Sequence, residues 1–164
     1  MKIVLFLVVA AKLLCSSEGF SVDADMDLAR VSDYIVNSGE KKFIIVHGNK
    51  NWFYAKSFCE NVVGGKLAAI ENVQQYHDLR EFARETYSKQ AQFWIAGNNI
   101  LNISTFQWHL CDAKEMSFQK WAPGQPDNYN EEENCVEALF NSKIEGWNDV
   151  SCLKGRHFIC EKPN

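Results

Sequence analysis

Between Ala122 and Asn134 the chain reads Pro123-Gly124-Gln125-Pro126-Asp127-Asn128-Tyr129 and then Glu131-Glu132-Glu133-Asn134-Cys135, followed further on by Trp147-Asn148-Asp149. Gln125, Asp127, Glu133, Asn148 and Asp149 bring carboxylate and amide oxygens and no soft ligand. Calcium takes about six to eight oxygens, drawn from carboxylates, amide carbonyls and backbone carbonyls. Three carboxylates against a divalent ion leave about one negative charge, a balance that suits a hard cation and tolerates neutral hydroxyl ligands. The acidic run Glu131–Glu133 alone would read as a solvated face. The wider oxygen set, split between two places in the chain, offers the chemistry that a hard ion needs.

Catalytic constellations are not evident. His47, His77, His109 and His157 are dispersed, and there is no His-Glu-x-x-His helix, no Gly-x-Ser-x-Gly elbow and no Walker-type phosphate loop. Paired carboxylates can cleave glycosides, but the nearest cluster here is committed to the metal. The expectation is a binding protein rather than an enzyme.

Two helices and several strands must position these oxygens. Tyr34–Val36 and Lys42–Val46 read as short strands separated by the turn signal Asn37-Ser38-Gly39. Asn51–Glu60 reads as a helix with Trp52, Ala55 and Cys59 on one face, ended by Gly64-Gly65. After the apolar stretch Lys66–Ile70, Asn72 and Gln75 resemble a capping box, and Val73, Tyr76, Leu79, Phe82 and Ala83 form the stripe of a second helix. From Gln92 the texture becomes β-like: Phe93–Ile95, Phe106–Trp108, Cys135–Phe140 and Arg156–Cys160. Helices followed by strands predict an α+β domain. The aperiodic loop Ala122–Asn134 is long for a small domain, and such loops tend to be functional.

The chain has 164 residues, enough for one compact domain. Residues 1–17, with Lys2, the apolar run Ile3–Ala11 and the small residues Cys15-Ser16-Ser17, read as a secretory signal peptide. The run falls short of the roughly 20 residues that span a bilayer. Residues 18–33 form a short polar leader, and 34–162 the domain. Cleavage after Ser17 removes Lys2 and Lys12 and takes the net charge from −4 to −6. A mildly acidic product without a basic cluster argues against nucleic acid. Five cysteines remain, Cys59, Cys111, Cys135, Cys152 and Cys160, and export makes disulfides the default. Spacing alone does not say which one is left over.

Trp94-Ile95-Ala96-Gly97, Gln125-Pro126-Asp127, Glu133-Asn134-Cys135 and Trp147-Asn148-Asp149, followed by Cys152 and Cys160-Glu161, resemble the C-type lectin domain in order and spacing. The resemblance covers roughly residues 34–162 and is closest to the short form of the family. It implies the double-loop α+β fold with two helices, antiparallel strands and two core disulfides, Cys59–Cys160 and Cys135–Cys152. On the loop-entropy model these would stabilise by about 4.7 and about 3 kcal/mol respectively. It also implies that Gln125, Asp127, Glu133, Asn148 and Asp149 ligate one Ca2+ and hydrogen-bond two vicinal sugar hydroxyls, with Pro126 following a cis peptide and Trp147 in the core. Gln-Pro-Asp is associated in this family with galactose-type sugars, and Tyr129 stands where a ring could stack on the apolar face of such a sugar.

The expected partners are therefore galactose-type glycans on glycoproteins or cell surfaces, met by a secreted, extracellular protein without membrane insertion. A domain of this fold that binds a protein partner, with calcium structural or absent, is the alternative. Ile95–Gln107 has no acidic residue, so a complete second calcium site is not expected. Cys111 has no partner in the family scheme, which leaves an intermolecular bond in a homodimer or an unpaired thiol, unless a cut upstream of Cys15 restores an even count. Asn102-Ile103-Ser104 is an N-glycosylation sequon in a loop.

Overall fold

The computed structural model describes residues 34–87, 89, 91–140 and 143–164. The expected signal peptide, residues 1–17, and the leader, residues 18–33, lie outside the described residues. Nine strands and two α-helices make up the regular structure among the described residues: β1 Ile35–Ser38, β2 Lys41–Lys50, α1 Trp52–Asn61, β3 Lys66–Leu67, α2 Val73–Thr86, β4 Ala91–Asn98, β5 Gln107–Trp108, β6 Lys114–Glu115, β7 Cys135–Phe140, β8 Gly146–Val150 and β9 Arg156–Pro163. No helix among them is long and apolar enough to cross a membrane.

The strands form a single sheet with path β1-β2-β9-β4-β5-β6, on which β3 pairs with β9 and β7 joins β4 to β8. The sheet is mixed rather than purely antiparallel. The last strand, β9, returns to lie between β2 and β4, antiparallel to β2 and parallel to β4. The first hairpin turns at Gly39, whose φ of 61° suits glycine. Asn37 and Ser38 thus belong to β1, not to the turn. β2 continues past Val46 through a register shift to pair Lys50 with Arg156.

Each helix begins just after an asparagine that caps it. Asn51 Oδ1 accepts from Tyr54 N at 2.8 Å, and Asn72 Oδ1 from Gln75 N at 2.9 Å. The return bond of the second cap runs from Glu71 N to Gln75 Oε1, one residue before the expected donor. α1 buries Trp52, Tyr54, Ala55, Phe58 and Cys59. The stripe of α2 is Tyr76, Leu79 and Ala83, with Phe82 partly buried. Val73 departs from expectation and is 58% exposed, while Gln75 and Tyr76 are the buried residues of the first turn.

The core joins the helices to the sheet through aromatic side chains, each worth roughly 1.5–3 kcal/mol when fully buried. Trp52, Trp94, Trp108, Trp147, Phe58, Phe93 and Phe158 are all nearly inaccessible. Cys59–Cys160 ties α1 to β9 across 101 positions, and Cys135–Cys152 ties the start of β7 to the segment after β8. Cys111 is also disulfide-bonded, so it is not the spare thiol that the sequence allowed.

Candidate metal centre between the long loop and strand β8

β8 carries Trp147, Asn148 and Asp149, and its geometry is fixed from both sides. On one edge it pairs with β7 in the register Glu137↔Asn148 and Val136↔Asp149. On the other, Trp147 N donates to Lys120 O at 2.7 Å and Ala122 N to Trp147 O at 2.9 Å, so the beginning of the long loop lies along the strand. Gly146 makes that approach possible: a Cβ there would stand 2.7 Å from Ala122 N and Lys120 O. The Trp147 ring is buried edge-on against Trp108, at 5.3 Å between centroids, which makes it a core residue.

The loop then folds back onto Asp149. Gly124 takes φ 87°, the Gln125–Pro126 peptide is cis, and Asn128 adopts a left-handed φ of 45°. Asparagine tolerates that region. Asp149 Oδ1 accepts from Asp127 N at 3.0 Å and its Oδ2 from Asn128 N at 2.8 Å. Asp149 is fully buried, yet both of its oxygens are satisfied by the loop it organises. Glu133 closes the circuit: its Oε2 accepts from Tyr129 N at 3.0 Å, and its own N–H donates to Asn128 Oδ1 at 3.2 Å.

These bonds bring Asp127, Glu133 and Asp149 together. One carboxylate oxygen from each lies within 4.8 Å of the others. Burial raises the Glu133 carboxyl above its ordinary value, and the negative charges of Asp149 and Asp127 add to the effect, against the stabilising Tyr129 N–H. Three converging carboxylates in part-buried surroundings repel one another unless a cation sits among them. The donors are all oxygen, as a hard divalent ion requires, so the residues fit calcium.

The remaining expected ligands differ in how they are held. Gln125 Oε1 accepts from Asp127 N at 3.1 Å, which turns that carbonyl inward along the loop. Asn148 uses its Nδ2 to donate to Glu137 Oε1 at 2.9 Å. Tyr129 is 67% exposed at the rim of the loop. Asn102 is exposed, with its Oδ1 accepting from Ser104 N at 3.1 Å. Sequence reasoning missed two groups. Asn128 Oδ1 braces Glu133, and Glu137 lies behind the centre, 2% exposed, in an ion pair with Arg156. The available signal for Glu137 was a single acid in the otherwise apolar run Cys135–Phe140.

Comparison with known proteins agrees with this architecture. The chain is 27% identical to a galactose-specific lectin, nattectin, of Thalassophryne nattereri, over 76% of this chain and 75% of that protein. It is 29% identical to salivary C-type lectin 1 of Aedes albopictus, over 68% and 76% respectively. The carbohydrate-recognition domain of the mouse scavenger receptor C-type lectin superposes with a TM-score of 0.68 at 24% identity, covering 80% of this chain and 95% of that one. Residues 48–162 match the model of the lectin C-type domain, and the chain belongs to that family.

Proposed function

We propose that this protein is a secreted, non-enzymatic lectin that binds galactose-type glycans through one Ca2+. The observation that carries the reading is the convergence of Asp127, Glu133 and Asp149 within 4.8 Å, at the junction of a long surface loop and a strand. Gln125, Asp127, Glu133, Asn148 and Asp149 would hold the ion. Once bound, the ion supplies open coordination positions for two vicinal hydroxyls of a sugar.

The side chains of the chain do the rest. Carboxylate oxygens only accept, whereas amide groups accept and donate, so the order acid–amide around the ion decides which hydroxyls find partners. With the amide at 125 and the acid at 127, an axial 4-hydroxyl is favoured over an equatorial one. Tyr129, exposed at the rim, offers a ring to the apolar face of the sugar, adding roughly 0.5–1.5 kcal/mol by analogy with aromatic packing. The galactose-specific and salivary relatives support the sugar class and the export. Export follows cleavage of the signal peptide near Ser17, leaves residues 34–162 as the recognition domain, and makes Asn102 an acceptor for an N-linked glycan.

Affinity chromatography tests the reading. Retention on immobilised galactose in the presence of Ca2+, with release by a chelator, is the expected result. Passage through the column unretained, with capture of a protein partner in a parallel screen, would favour the alternative.

A further inference from the structure

Glu137 is a carboxylate placed where a charge is costly. It sits on β7 with neighbours that are all buried, and it is 2% exposed. A buried carboxylate persists only when its charge is paired and its lone pairs are occupied. Glu137 meets both conditions through two different strands. From β9, Arg156 Nε donates to Glu137 Oε2, while Arg156 Nη1 donates to Gly155 O at 2.8 Å and the guanidinium lies 5.8 Å from the centroid of the Trp94 ring. From β8, the directly opposite residue Asn148 donates its Nδ2 to Glu137 Oε1 at 2.9 Å.

The second bond has a consequence for the metal centre. A primary amide has one oxygen and one nitrogen on opposite sides of the same carbon, so anchoring Nδ2 on a carboxylate fixes where Oδ1 points. A carboxylate cannot donate, so it accepts only the nitrogen end and never the oxygen. Arg156, which has no acceptor, locks Glu137 in the same way from the other side. Arg156–Glu137–Asn148 is thus a one-way chain of donors and acceptors in which every orientation is determined.

We infer that Glu137 is a positioning residue, which through its bond to Asn148 Nδ2 holds the amide oxygen of Asn148 oriented for the ion and leaves one amide hydrogen for a sugar hydroxyl. This rests on the calcium reading above. Partners of this kind behind metal ligands typically change metal affinity by about 10–100-fold when removed.

The test uses Glu137→Gln, which keeps shape and removes charge. With Arg156 present, the glutamine must give its oxygen to the guanidinium and turn its own amide nitrogen to Asn148, which then flips its oxygen away from the ion. Glu137→Gln is expected to lower Ca2+ affinity by about 10–100-fold in titration calorimetry with the fold intact by near-ultraviolet circular dichroism. In Glu137→Gln/Arg156→Met the glutamine oxygen is free to accept from Asn148 again, and most of the affinity should return. A merely structural role would not be rescued by a second core substitution.

A readout without ion separates this inference from the calcium reading. In the metal-free protein the Asn148 side-chain amide protons should exchange slowly by NMR in the parent, quickly in Glu137→Gln and slowly again in the double variant. Parent protein that takes up no Ca2+ would refute the calcium reading, while the exchange pattern would still decide the Asn148 orientation. Glu137→Gln with Ca2+ affinity within about twofold of the parent, well short of the range expected for such a partner, or with unchanged amide exchange, overturns the inference.

Discussion

Asp149 and Asp127, twenty-two positions apart, are joined by a 3.0 Å hydrogen bond from the backbone of one to the carboxylate of the other. The bond makes a buried strand residue the template on which the exposed loop is folded. The same carboxylate that orders the loop belongs to the three-carboxylate cluster, so loop conformation and the geometry of the cluster are coupled through one side chain.

Asp149→Ala should therefore affect more than ligation. It leaves the N–H groups of Asp127 and Asn128 without their acceptor and removes one of the three carboxylates. We expect Ca2+ affinity to fall further than the ~10–100-fold typical of losing a partner behind the ligands. Amide exchange at Asp127 and Asn128 should accelerate even without calcium. Titration calorimetry and NMR exchange measure the two effects separately.

Ion uptake should weaken as pH falls. Burial, together with Asp149 and Asp127, raises the Glu133 carboxyl, so its proton competes with a cation at a higher pH than an ordinary glutamate would allow. In the metal-free protein a raised folded pKa favours the fold as pH falls, and a bound cation removes that contribution. Ca2+ affinity measured from neutral pH downward should decline ahead of the ordinary glutamate range. An affinity independent of pH until well below that range would contradict this.

A separate pH dependence comes from His109. Burial, and then the charges of Lys66 and Lys41, push the pKa of His109 down from 6.5 to about 4, with Asp112 and Glu71 opposing. The unfolded chain takes up the proton first, so the stability is complete above pH 6.5 and is lost as pH falls from there to about 4. Glu161 lies 3.8 Å from the ring, and its carboxyl is raised by burial, so it offsets part of the loss. His109→Asn, neutral and tolerant of the left-handed φ of 58° at this position, should flatten the slope. Urea denaturation at several pH values measures it.

Cys135–Cys152 closes a short loop that contains both β7 and β8. Replacing both cysteines by serine should cost about 3 kcal/mol on the loop-entropy model. Because the bridge clamps Glu133 relative to the strand of Asp149, Ca2+ affinity should fall with it. Denaturation with and without calcium compares the two effects.

Asp127, Glu133 and Asp149, which converge in the structure, were legible because their carboxylates declare themselves by side-chain chemistry, and both helices were legible because apolar spacing acts locally. What it concealed depends on pairing between distant segments. The extension of β2 over His47–Lys50 is polar and contains Gly48, and it is a strand because Arg156 of β9 lies opposite Lys50. The parallel β4–β9 pair follows from where the last strand is inserted. Glu137 was visible as an acid in an apolar run, but its relation to Asn148 required the register of β7 against β8. Val73 fits the helical period of α2 yet is exposed, since periodicity does not say which positions a neighbouring element covers.

Exchanging acid and amide tests the sugar preference. Gln125→Glu/Asp127→Asn keeps the number of oxygens and the charge and reverses their order around the ion. We expect a glycan array to move from galactose-type toward mannose-type sugars in the presence of Ca2+. Unchanged galactose selectivity would mean that another feature selects the sugar.

The most direct measurement is titration of purified, chelator-treated protein with Ca2+ at neutral pH, followed by galactose. One ion per chain is expected, with galactose heat appearing only after the ion is bound. Absence of any Ca2+ heat, or galactose binding that is equal in chelator, would contradict it.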